Sequence, residues 1–297
     1  MQTLSRGFGT LVEAQTASEA IINGGLNWEI GGEPIKRPNG DIIGSHKSIV
    51  RLDNNEVLGI VGEGYTPVQN RDCFGLMDEV IGSGHAKFER VYSFKGGRRI
   101  GILARMPFDI PLKGGKDNVG LYLRLQTGHD GSQGLLLDYL PVRGICWNAV
   151  NVDVAQELKG RRFYAKHTLN VGRKLDVAQV VLNAQNYIDM LQPKFEFLAK
   201  ATVSEDYINR ILNKIFEIED KEKVSTRALN EIAEVKDRIF NGTGNSGETR
   251  WDVLSGITEY VDHFRPTRGD AENRVISFLD GSGRDLVNKA FEELLVA

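Results

Sequence analysis

At 297 residues, with 41% hydrophobic and 26% charged side chains, the chain is long enough to bury a full core and has the make-up of a globular protein, which excludes disordered and fibrous classes. No apolar run approaches the ~20 residues that span a bilayer, and MQTLSRGFGTLVEAQ has no basic stretch followed by an apolar core, so a cytoplasmic protein without signal or membrane association is expected. The net charge of −3 argues against a uniformly basic nucleic-acid binder, although it averages over two very different parts.

In chain order, IIGSHKSIVRLD, the turn at Asn54 and Asn55, and EVLGIVG predict a β-hairpin. NRDCFGLMDEVIG predicts an amphipathic helix capped by Asn70, with Phe74, Met77 and Val80 or Ile81 inward. AKFERVYSF and RRIGILARMP, joined by KGG, form a second hairpin. VGLYLRLQ alternates strictly: Val119, Leu121, Leu123 and Leu125 share one face, and Tyr122, Arg124 and Gln126 the other. TGHDGSQG then leads into LLLDYLPV as a tight connection, and CWNAVNVDVAQELKG reads as a helix crossing one face of the sheet.

From Asp176 onward glycine is sparse and the helical period takes over. VAQVVLNAQNYIDMLQPKFEFLAKA is a long helix with a kink or break at Pro193. SEDYINRILNKIFEIED is a helix capped by Ser204, and STRALNEIAEVKDRIF another, ended by NGTGNSG. WDVLSGITEYVDHF, NRVISFLD and GRDLVNKAFEELLVA complete the series. The expected fold is α+β: an N-terminal antiparallel sheet with packed helices (strand, strand, helix, meander) over residues 1–172, then an all-helical region over 173–297.

His129 beside Asp130 between two glycines could be half of a triad or a pair of metal ligands. The five histidines are scattered, however, and the chain has no GxSxG, no HExxH, no cysteine cluster and no EF-hand loop. NGTGNSG lacks the GK[ST] ending of a P-loop, and Cys73 and Cys146 read as small buried apolar residues. The expectation is therefore a protein without enzymatic activity, metal or cofactor. Asp130 would fix a turn, and His129 and Ser132 would touch a ligand or a neighbouring subunit.

Between His85 and Leu175, sixteen Lys plus Arg stand against seven Asp plus Glu, a balance of +9, which leaves −12 for the rest. Cations interleave there with rings: Lys95, Arg98, Arg99 and Arg105 around one hairpin, Tyr122 with Arg124 on the next strand, then Arg161, Arg162, Phe163, Tyr164, Lys166, Arg173 and Lys174. Cations can follow a phosphate backbone while rings stack on bases, which is what a single-strand binder needs. Arg143, between an apolar strand end and an apolar segment, must be paired or hold an anion, either in a structural network or as the floor of a site. A functional HDGS and Arg143 would favour a small catalytic or metal site acting on nucleic acid, and the acidic helical part a host-directed protein-binding factor.

The motifs HDGS (129–132), PVRGICWNAV (141–150), KHTLN (166–170), W…GITEYVDHF (251–264) and SFLDGSGRDLVNKAFEELL (277–295), in that order, resemble the phage/plasmid-like family catalogued as domain of unknown function 932. The chain departs from the family pattern where Asp280 precedes GSG and where CWNAV stands. The resemblance implies a gene of a phage, plasmid or prophage in a bacterial cell. The order of elements is also similar in outline to phage single-strand annealing proteins of homologous recombination. The expectation is a homo-oligomeric protein that binds and anneals single-stranded DNA, in preference to RNA.

Overall fold

The computed structural model describes residues 7–152, 163–165, 176–218 and 225–296. After β1 (Thr10–Ala14) and α1 (Ala17–Asn23) come three strands, β2 (Ile30–Lys36), β3 (Ile42–Arg51) and β4 (Val57–Gly62), which pair as a small antiparallel sheet in that order. Two short helices follow, α2 (Asn70–Phe74) and α3 (Asp78–Gly82). The large sheet contains β5 (Lys87–Phe94), β6 (Arg99–Leu112), β7 (Asp117–Gly128), β8 (Leu135–Arg143), β9 (Asn148–Ala149) and β10 (Phe163–Ala165). Its order is β1-β5-β6-β7-β8-β10, with β9 also paired to β8 and every pairing antiparallel. The helices α4 (Val177–Lys200), α5 (Glu205–Ile215), α6 (Thr226–Asn241), α7 (Arg250–Glu259), α8 (Ala271–Asp280) and α9 (Ser282–Leu295) complete the α+β fold.

Local chemistry accounts for the meander. The same tripeptide, KGG, turns the chain twice, at 95–97 and 113–115, and all six residues take positive φ. Two glycines per turn make that backbone inexpensive, leaving one lysine in each left-handed position. The alternation in β7 then points Leu121, Leu123 and Leu125 to the face covered by α4, where the ring of Tyr139 stacks on Tyr187 at 5.9 Å and its hydroxyl donates to the Val180 carbonyl at 2.6 Å. The opposite face carries the polar residues and is covered by Phe8, Trp147 and the end of α8. One hydrophobic cluster joins strands and helices from Phe8 to Leu294, and the boundary expected near 172 lies outside the described residues.

Three details differ from the sequence reading. The helix expected from Asn70 is two short helices separated by a 3₁₀ turn at Gly75–Met77, and Asn70 is not its cap: the amide nitrogen of its buried side chain donates to the carbonyls of Leu26 and Trp28. CWNAV does not begin a helix, because Asn148 and Ala149 pair with Arg143 and Val142 as β9; residues 153–160 lie outside the described set. α4 runs through Pro193 without a break. β1, α1 and β2 were not expected. The caps at Ser204 and Ser225 each accept a backbone N–H at 3.2 Å, as N-cap chemistry predicts.

Candidate nucleic-acid interface

Strand register assembles the polar face row by row. Lys87 pairs with Arg105, Arg105 with Tyr122, and Tyr122 with Leu140. One row along, Arg90 pairs with Leu103, Leu103 with Arg124, and Arg124 with Asp138. The next row runs Tyr92, Gly101, Gln126, Leu136 and Tyr164. Four cations and three tyrosines therefore share one side of the sheet. Gly101 is required there: the ring of Tyr92 lies across it, and a Cβ would stand 2.2 Å from that ring.

Burial changes what these groups can do. Arg124, expected on an open face, is fully buried and is held by Asp138 through two hydrogen bonds of 2.7 and 2.6 Å. Burial works against its charge, but Asp138 and Asp280 outweigh it and push its pKa well above the usual guanidinium value. Tyr122 is also buried, with its hydroxyl donating to Glu89 at 2.8 Å and its pKa raised, chiefly by desolvation. Arg143 is fully buried: Nε reaches Asp117 at 2.7 Å, Nη1 donates to Asn245 at 2.8 Å, and the Trp251 indole donates to the same Asp117 oxygen at 3.0 Å. It is the structural network at the strand end, not an open floor. None of these three side chains is the open contact that the strand period suggests: each is buried and held by protein partners, since an interior charge is tolerable only when paired.

The remaining cations lie nearer the surface. Lys95 Nζ meets Asp270 at 2.8 Å, and its backbone N–H donates to Glu272 at 2.6 Å. Arg99 Nη1 lies 3.2 Å from Asp280, and Arg98 is exposed. Arg105 spans Asp109 at 2.6 Å and the Phe108 carbonyl at 3.1 Å, with its guanidinium 5.5 Å from the Tyr122 ring centre. Phe163 is half-buried on edge strand β10, and Tyr164 beside it is 57% exposed. Arg161, Arg162, Lys166, Arg173 and Lys174 lie outside the described residues.

Two functional-looking groups escaped the sequence reading. Arg90 is 4% exposed and stacks over Trp147 at 4.2 Å; its Nη1 donates to the Phe8 carbonyl at 3.3 Å, and its Nε is unsatisfied. Among the described residues no carboxylate bonds it, and burial lowers its pKa. Trp147 has φ of +57°, costly for a ring-bearing residue and a pointer to function. The period of a strand assigns Arg90 a face but not its partners, and Trp147 stands out in sequence only as a neighbour of Arg143.

HDGS is the turn between β7 and β8. Asp130 accepts the Ser132 N–H at 2.9 Å and its hydroxyl at 2.6 Å, closing an Asx turn, and Ser132 is exposed. His129 is not a ligand contact: it is fully buried, its backbone N–H donates to Arg98 at 2.7 Å, its Nε2 lies 2.9 Å from the Asn70 amide oxygen, and Trp28 meets it edge-on. The turn packs on β4, where a Cβ at Gly59 would fall 2.5 Å from the Asp130 backbone. No group of three His, Cys, Asp or Glu among the described residues could hold a metal ion, and no helix among them is long and apolar enough to cross a membrane.

No curated protein and no solved structure matches the chain. Over residues 57–279, most of its length, it matches the family described as Domain of unknown function (DUF932). The matched range takes in β4 of the small sheet, the whole β5–β9 meander and the helices through Leu279, and the chain belongs to that family.

Proposed function

We propose that this chain binds single-stranded nucleic acid, DNA in preference to RNA, along the polar face and rim of its large sheet, and promotes annealing as a homo-oligomer. Its setting would be the cytoplasm of a bacterium, in recombination of a phage or other mobile element. The observation that carries the reading is the register that sets exposed Lys87 beside Arg105, with Arg90 stacked on Trp147 on the same face, while the ring of Tyr164 is exposed on the edge strand. Two of these groups have unspent capacity. Among the described residues no carboxylate bonds Arg90, and Tyr164 presents its ring at the sheet edge. Phosphates would complete the first and a base could stack on the second, for roughly 1–3 kcal/mol per stacked base. Such binding needs no covalent step and no nucleotide.

A labelled oligonucleotide titrated at two salt concentrations tests it. Binding should be clear at low salt and fall steeply as salt rises, because phosphate contacts release counterions. Arg98→Glu and Tyr164→Ala should each weaken it by roughly fivefold or more while leaving the circular dichroism spectrum intact. No binding at low salt would overturn the proposal.

A further inference from the structure

Asp280, the last residue of α8, sits where three donors from two strands converge. Arg124 Nη2 lies 3.2 Å from its Oδ1, and Gln126 Nε2 and Arg99 Nη1 lie 3.0 and 3.2 Å from its Oδ2. The donors are set in place without it. Asp138 already holds Arg124 by two shorter bonds, and the Tyr92 hydroxyl donates to the Gln126 side-chain Oε1 at 2.8 Å, which turns the amide nitrogen toward Asp280. Arg124 Nη1, fully buried, has no hydrogen-bond partner. The charge of Arg124 is thus balanced by Asp138, and Asp280 answers the charge of Arg99. The side chains of Arg99 and Asp280 are 19% and 20% exposed, so the cluster opens to solvent.

The other acids of this helix behave alike. Asp270 and Glu272, at its start, bond Lys95 through its ammonium and its backbone N–H. Carboxylates at both ends of this helix thus meet the sheet and its turns, Asp280 at Arg99 and Arg124, and Asp270 and Glu272 at Lys95. We propose that Arg99, Arg124 and Gln126 form a site for a phosphate oxyanion, and that Asp280 occupies it as an internal mimic which a phosphodiester displaces. Two guanidinium groups and an amide suit a tetrahedral oxyanion better than a planar carboxylate, which leaves Arg124 Nη1 unserved. The inference rests on the proposed nucleic-acid function and supplies its regulation: α8 covers the polar face until a phosphate backbone takes its place.

The test uses the full chain and Asp280→Asn, with two readouts. One is the melting temperature against inorganic phosphate, with chloride at equal ionic strength as control. The other is affinity for a labelled oligodeoxythymidine. Phosphate should raise the melting temperature of Asp280→Asn more than that of the wild type. Oligonucleotide affinity should rise by about fivefold or more, and adding Arg99→Gln should remove the gain. Asp270→Asn with Glu272→Gln, both on the helix surface, should raise affinity in the same direction, and decides the matter if Asp280→Asn fails to fold. Wild-type binding that neither variant alters, without a phosphate-specific effect, overturns the inference and leaves the proposed function standing. A phosphate-specific effect with no oligonucleotide bound by any variant supports the oxyanion site and removes the nucleic-acid reading. Neither effect overturns both.

Discussion

Asp138 and Arg124 form a buried ion pair whose value depends on keeping both partners. Asp138→Ala leaves a fully buried guanidinium held only by Asp280, and should cost about 3–5 kcal/mol in urea denaturation. Replacing the pair together with apolar residues of similar volume should cost much less, and an equal loss in the two cases would contradict the pairing argument. Asp262 gives a pH dependence with a definite sign. It is buried, one oxygen accepts the Ala149 N–H at 2.6 Å, the other has no partner, and burial holds its carboxyl well above the ordinary range. The folded chain therefore keeps the proton longer than the unfolded chain does. Stability from this group is complete below the unfolded pKa and falls as pH rises toward the folded one. Asp262→Asn should flatten that decline by up to about 1.4 kcal/mol per pH unit, read from denaturation midpoints across roughly pH 4–7. An unchanged slope would mean that Asp262 is ionised in the folded chain. Burial also pushes the Cys146 thiol up to about 11, so it should resist thiol reagents until the chain unfolds.

Strands and turns were legible because their signals are local. The alternation of β7, the repeated KGG and the Asx chemistry of HDGS each fix backbone without help from distant residues. Which polar residues stay open was not legible, because the period of a strand assigns a face and says nothing about what covers it. The face carrying Tyr122 and Arg124 is covered by Phe8, Trp147 and α8, which come from both ends of the chain and from the segment after β8. His129 was misjudged for the same reason: its turn is a wedge between the two sheets. Gly59→Ala tests this wedge. Its methyl group would meet backbone, not a flexible side chain, so a loss of about 1–3 kcal/mol is expected. A neutral outcome would show that the small sheet can move away from the turn at little cost.

At the scale of the molecule, part of the positive charge near the middle of the sequence is met by carboxylates of the helical part that follows it. Asp252 meets Lys113 at 2.5 Å, Asp270 meets Lys95, and Asp280 meets Arg99 and Arg124. Burial opposes the charge of Asp252, yet Lys113 and Thr249 bring its pKa below the ordinary value. We propose that a single strand of nucleic acid competes with α8 for those cations. The most direct measurement is oligonucleotide affinity of the wild-type chain across a salt series. Binding at low salt with log affinity falling linearly in log salt is expected, and the absence of binding at low salt would contradict the proposed function.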